Sequence, residues 1–207
     1  MSSRPIARCH LVTDTRDRRD PLTDVQAALR AGIRLVQVRA KQGTDRDLLA
    51  LTRAVLRLAR PRDVTVLVDD RADIALAAGA HGVHVGAGDL PVEEVRRILG
   101  PGAVIGATAR DPQAARVATA AGADYLGVGP AYATTSKAGL PDPLGLDGVT
   151  AVVRSTRLPV VAIGGIGPDE IPALLQRGVH GVAVLSAISG APDPGAAATQ
   201  LLKTLNV

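Results

Sequence analysis

Four short stretches of this chain share one design. In residues 31–38, 78–85, 121–128 and 177–184, a helix-like segment runs out at a glycine and the chain enters a short apolar run. Glycine just past a last helical turn takes the left-handed backbone conformation at little steric cost, so it stops the helix where it stands. The four glycines, Gly32, Gly79, Gly122 and Gly178, are spaced 47, 43 and 56 residues apart. Each interval is too long for one strand–helix unit and fits two. Further apolar runs lie midway, at 64–68, 104–107 and 160–163, and the first strand is expected at 10–13. Helix signals fill the gaps. Thr23 and Gln26 have capping-box spacing, with Val25, Ala28 and Leu29 on one face. Pro91 opens a helix with Glu93 and Glu94 early, Arg96 and Arg97 late and Gly100 beyond its end, and residues 168–178 repeat that grammar.

Eight strands alternating with eight helical segments predict a single-domain (β/α)8 TIM barrel over residues 1–207. The chain has no Phe and no Trp, so its core must be built from Val, Leu, Ile and Ala, which suit a parallel sheet covered by helices. An open doubly wound sheet is the rival architecture. It calls for a glycine-rich turn after the first strand, where this chain has Asp14, Thr15, Arg16 and Asp17. One connection, 129–148, is longer than strand–helix packing needs, and such loops usually carry function.

Composition narrows the function. Basic residues exceed acidic ones by 24 to 20, but the two signs are interspersed and the aromatics amount to Tyr125 and Tyr132, so no stacking surface for nucleic acid is expected. No stretch approaches the roughly 20 apolar residues of a membrane span, and the first residues lack a signal-peptide core. Cys9, the only cysteine, rules out an internal disulfide and a multi-cysteine zinc site. The expectation is a cytoplasmic protein acting on small molecules; whether copies assemble into a homo-oligomer is left open.

In a (β/α)8 barrel the chemistry sits where strands end and the following loops begin. Those positions carry Gln37, Arg39 and Lys41 after strand 2, then Asp69, Asp70 and Arg71 after strand 3. Asp89 follows strand 4, and Thr108 and Arg110 close strand 5. Thr134, Thr135, Ser136 and Lys137 lie in the long loop, Gly164, Gly165 and Gly167 follow strand 7, and Ser186 ends strand 8. Asp70 and Asp89 are hard oxygen donors from neighbouring strands, suited to a Mg2+ ion that keeps waters and bridges to phosphates, with Arg39, Lys41 and Lys137 adding positive charge. The glycines after strand 7, with Leu185 and Ser186, suit a second anion through backbone N–H groups. Each feature has an ordinary structural reading too: a helix cap, a tight turn, a solvated loop. His81, His84 and Cys9 are expected to be structural.

The same residues resemble the thiamine-phosphate synthase family. The resemblance rests on residues 37–41 (Gln-Val-Arg-Ala-Lys), 68–75, 82–86 with 89–91, 124–130, 134–137, 162–166 and 185–188, in order along almost the whole chain. It implies a transferase that condenses hydroxymethylpyrimidine diphosphate with thiazole phosphate, or with its carboxylated tautomer and loss of CO2, releasing pyrophosphate. It further implies that Gln37, Val38, Arg39, Ala40, Lys41, Asp69, Thr108 and Lys137 contact the pyrimidine diphosphate. Arg39, Lys41, Thr108 and Lys137 would take the catalytic roles, and Asp70 and Asp89 would hold Mg2+. Thr134, Thr135, Ser136, Gly165, Leu185 and Ser186 would bind the thiazole phosphate. The chain departs from the family pattern at Asp69, where an Asn is usual, and at Thr108, Arg110, Ala87 and Ser136. A related thiazole tautomerase and a non-catalytic phosphate-binding barrel are the alternatives.

Overall fold

The computed structural model describes residues 4–13, 15, 20–136 and 139–207. Eight parallel strands close into a barrel in chain order: β1 (Cys9–Val12), β2 (Leu35–Val38), β3 (Thr65–Asp69), β4 (Gly82–Val85), β5 (Val104–Thr108), β6 (Tyr125–Val128), β7 (Val160–Ile163) and β8 (Gly181–Val184). β8 pairs back onto β1 with Cys9 opposite Val182, so the sheet has no edge. The helices between them are α1 (Pro21–Ala31), α2 (Asp45–Ala59), α3 (Ala72–Ala78), α4 (Val92–Leu99), α5 (Pro112–Ala120), α6 (Gly145–Val153) and α7 (Ile171–Gln176). After β8 come a short α8 (Ser186–Ser189) and the closing α9 (Pro194–Leu205).

Gly32, Gly79, Gly122 and Gly178 all have positive φ, at 117°, 71°, 88° and 84°, so the expected helix stops form at all four places. Alternation along each strand then sorts the side chains. Leu11, Val36, Val66, Val83, Ile105, Leu126, Ala162 and Val182 face outward and are buried under the helices. Val12, Leu35, Leu67, Val104, Tyr125, Val161 and Ala183 face inward and fill the barrel. His10 and Gln37 share that interior and are buried. Cys9 lies in the outer layer, where burial pushes its thiol up to about 12.

Two helix starts differ from the sequence expectation. α1 begins at Pro21, because Asp20 caps it by accepting from the Leu22 N–H at 3.0 Å, so Thr23 sits inside the first turn. The capping box falls instead on α2, where Thr44 and Asp47 bond reciprocally. α7 starts only at Ile171, after residues 168–170 form a turn.

Candidate active site

A cavity of about 560 Å3 opens at the carboxyl ends of the strands, within the range of small-molecule sites. Its lining includes Gln37, Arg39, Lys41, Asp69, Asp70, Asp89, Thr108, Arg110, Thr134, Ser136, Gly164, Gly165, Leu185 and Ser186. A larger hollow of about 980 Å3 lies at the opposite face, between Arg4, Arg8, Arg34, Arg62 and Lys203. It holds no carboxylate pair, and barrels of this kind place their chemistry at the other end.

The acidic corner is built by β3, β4 and the loops that follow them. Alternation carries Leu67 and then Asp69 into the barrel mouth, which half-buries Asp69 and encloses its Oδ1 without a hydrogen-bond partner among the described residues. Burial, with the Asp70 charge beside it, pushes the Asp69 carboxyl up to about 8. The next residue turns sharply: Asp70 has φ 66°, a conformation that costs a residue with a side chain on the order of 1 kcal/mol. That turn swings its carboxylate toward Lys41, with which it pairs, and into hydrogen-bonding reach of Asp89. Asp89 in turn accepts from the Gly86 N–H at 2.7 Å. Burial would raise the Asp70 carboxyl, but the hydrogen bonds from Lys41 and Asp89 and the Lys41 and Arg39 charges hold it below the usual range. Burial and the facing Asp70 raise Asp89, against the Gly86 hydrogen bond.

Two carboxyl groups driven together in this way favour a hard dication between them. Among the described residues no group of three or more His, Cys, Asp or Glu side chains could enclose an ion by itself. The pair alone therefore fits only a hard divalent cation that takes most of its shell from other oxygens.

Across the mouth, the loops after β6, β7 and β8 converge. Gly164 and Gly165 have φ 97° and 66°. A Cβ on Gly165 would lie 2.4 Å from the Ala133 carbonyl oxygen, so glycine here lets the loop after β6 close onto the end of β7. Ser136 and Ser186, fifty residues apart, meet at 3.0 Å between hydroxyl oxygens, and Thr134 accepts from the Ser136 N–H at 3.2 Å. Arg110 clamps this loop by donating to the carbonyls of Gly129 and Asp142, both at 2.8 Å.

Several expected site residues stand elsewhere. Val38 is buried in the outer layer, Ala40 packs against that layer, and neither lines the cavity. Thr135 is exposed and does not line the cavity. Lys137 lies outside the described residues. Arg71 turns outward and bonds Asp45 and Asp73, tying the start of α2 to α3. His81 accepts from the Val66 N–H at 2.9 Å, as a structural histidine does.

Sequence reasoning passed over Tyr125 and set His84 aside as structural. Both rings lie inside the barrel, 5.5 Å apart between centroids. The signal was present: on β5 and β6 the inward positions Gly106 and Gly127 carry no side chain. A Cβ at Gly106 would lie 2.2 Å from Tyr125 Cζ, and one at Gly127 would lie 2.6 Å from His84 Cε1. Two strands give up side chains to seat two rings.

A closed barrel whose mouth joins a carboxylate pair, basic side chains and a hydroxyl cluster has the build of a (β/α)8 enzyme acting on small molecules. Comparison with known proteins narrows this. The thiamine monophosphate synthase family matches residues 9–188. The thiamine-phosphate synthase of Salinispora tropica is 50% identical over 203 residues, 97% of this chain and 98% of that protein. That of Salinispora arenicola is 48% identical over 204 residues, 97% and 98% of the two chains. Among solved structures, thiamine phosphate pyrophosphorylase from Pyrococcus furiosus superposes with a TM-score of 0.88 at 36% identity, covering 96% of this chain and 95% of that one. The chain belongs to the thiamine monophosphate synthase family, transferases of thiamine biosynthesis.

Proposed function

We propose that this chain joins 4-amino-2-methyl-5-hydroxymethylpyrimidine diphosphate to 4-methyl-5-(2-hydroxyethyl)thiazole phosphate, or to its carboxylated tautomer with loss of CO2. The products are thiamine phosphate and pyrophosphate. The observation that carries the reading is the meeting of Asp70 and Asp89 beside Lys41 and Arg39, across the cavity from Ser136 and Ser186. That arrangement has charge for a diphosphate at one side and hydroxyls with glycine backbone for a monophosphate at the other.

The site holds cations and hydrogen-bond donors, and among the described residues none in it is set up as a nucleophile by an adjacent base. Such a site suits dissociative chemistry. The C–O bond to the diphosphate breaks, with the electron pair leaving on oxygen, and the electron-rich aminopyrimidine carries the positive methylene. The thiazole nitrogen then donates its lone pair to form the C–N bond. Arg39 and Lys41 hold the departing charge, and the loops after β6, β7 and β8 orient the thiazole phosphate. Asp70 and Asp89 would hold a Mg2+ ion, which when bound supplies further neutralisation of the diphosphate oxygens. Lys137, which falls within the connection 129–148 in the sequence, belongs to the same proposed diphosphate group. A tautomerase would want a base near the thiazole, and Arg110 at that place is a permanent cation spent on two backbone carbonyls.

Purified protein supplied with both phosphorylated substrates and Mg2+ is expected to form thiamine phosphate, measured by fluorescence after oxidation to the thiochrome. Absence of product would overturn the reading, and full turnover in the presence of a chelator would remove the metal from it.

A further inference from the structure

A chain of side-chain hydrogen bonds runs up the barrel axis, from a backbone carbonyl below β1 to the cavity. His10 Nε2 lies 2.9 Å from the Ala7 oxygen, and His10 Nδ1 lies 3.0 Å from Gln37 Nε2. Gln37 Nε2 also reaches the Tyr125 hydroxyl at 3.1 Å. That hydroxyl lies 2.9 Å from His84 Nδ1, and His84 Nε2 lies 3.1 Å from Thr108 Oγ1. His10 and Tyr125 are fully buried.

The chemistry of its members leaves this chain one direction. The Ala7 carbonyl only accepts, so His10 carries its proton on Nε2. The Gln37 NH2 only donates, so His10 Nδ1 is bare and His10 is neutral. The second Gln37 hydrogen goes to the Tyr125 oxygen. Among the described residues the Tyr125 proton then has one acceptor, His84 Nδ1. Were that nitrogen protonated instead, a fully buried hydroxyl hydrogen would be left with nothing to bond. His84 therefore carries its proton on Nε2 and donates to Thr108 Oγ1. The Thr108 hydrogen is the only one the chain does not use, and Thr108 lines the cavity.

We infer that His10, Gln37, Tyr125 and His84 are positioning residues that fix the Thr108 hydroxyl as a donor into the cavity, where it takes an acceptor atom of the pyrimidine substrate. By the same logic Gln37, its nitrogen committed to the interior, presents the cavity with an acceptor oxygen. The identity of the ligand rests on the proposed reaction, whereas the direction of the chain does not. The acceptor is either a diphosphate oxygen or a pyrimidine ring nitrogen.

Nitrogen-15 NMR of histidine-labelled protein reads the direction without any turnover. His10 and His84 are expected to be neutral and protonated on Nε2 at neutral pH, and either ring protonated on Nδ1 overturns the inference. Tyr125→Phe keeps Thr108 in place but removes the donor to His84 Nδ1. It is expected to reduce the Nε2-protonated population of His84 and to lower kcat about tenfold, with KM for the thiazole phosphate unchanged. Thr108→Val should add little in that background, and Thr108→Ser should restore the single-variant loss. Titration of Thr108→Val with inorganic pyrophosphate and, separately, with the unphosphorylated aminopyrimidine alcohol distinguishes the two acceptors. Weaker binding of one supports the inference and names the acceptor, and unchanged binding of both overturns it. Correct tautomers in a protein that makes no thiamine phosphate would overturn the proposed reaction and leave the chain standing.

Discussion

Asp70 departs from the backbone geometry its type prefers, and the departure brings it to Asp89 and Lys41. Asp89→Asn tests what that meeting does. The amide keeps an oxygen for the Gly86 N–H and relieves repulsion with Asp70, so the fold loses little. We expect kcat to fall about 100-fold, in line with the several kcal/mol a metal contributes to charge stabilisation, while the melting temperature stays the same or rises. Steady-state kinetics beside a thermal melt decide it, because a parallel loss of rate and melting temperature would make Asp89 a turn residue. The residue types at strand ends were legible because barrel topology says which ends matter. The loop clamp made by Arg110 was not, since it depends on where two distant carbonyls come to rest. The outward turn of Val38 was legible in principle, because Gln37 and Arg39 line the cavity and Val38 alternates with both.

At the level of elements, β5 and β6 do opposite things on their two faces. Outward they pack Ile105, Ala107, Leu126 and Val128 against helices; inward they leave room at Gly106 and Gly127. Gly127→Ala would press a methyl group against the His84 ring and is expected to cost about 1–3 kcal/mol, as overpacking does. Gly102→Ala, where an added Cβ meets nothing within 4 Å, should stay within about 0.5 kcal/mol of the parent. Chemical denaturation of the two variants checks the contrast, and equal midpoints would show that the ring can move aside. Strand positions were readable from apolar runs because each strand is buried on its outer face. Helix starts were less so: Asp20 with Pro21 outcompeted Thr23, two signals of similar strength separated by three residues.

For the molecule as a whole, glycine spacing carried the fold, since a closed barrel follows once the units number eight. The hydrogen-bonded axis was hidden from the sequence because it joins β1, β2, β4, β5 and β6, five strands far apart in the chain. That axis also contributes to how stability depends on pH. Burial lowers His10 to about 3 and His84 to about 4, from an ordinary 6.5. The unfolded chain thus binds protons that the barrel refuses. The stability this contributes is complete above about pH 6.5 and drains away as pH falls toward each folded value, at about 1.4 kcal/mol per pH unit for each ring. Asp69, whose carboxyl burial holds at about 8, keeps a proton in the folded state over the same range and offsets one of the two rings. Urea midpoints should therefore change little from neutral pH to about pH 6, fall below it, and stay nearly level in His10→Asn. Parent midpoints that rise steadily down to about pH 5 would mean that the rings accept protons in the native state.

The seating of Tyr125 has a practical corollary. With no tryptophan in the chain, intrinsic ultraviolet emission comes from Tyr125 and Tyr132 alone. One is sealed at the axis between two imidazoles, and the other sits beside the Gly165 backbone at the cavity loop. Replacing either with phenylalanine leaves a single native fluorophore, reporting in one case on the barrel interior and in the other on the loop.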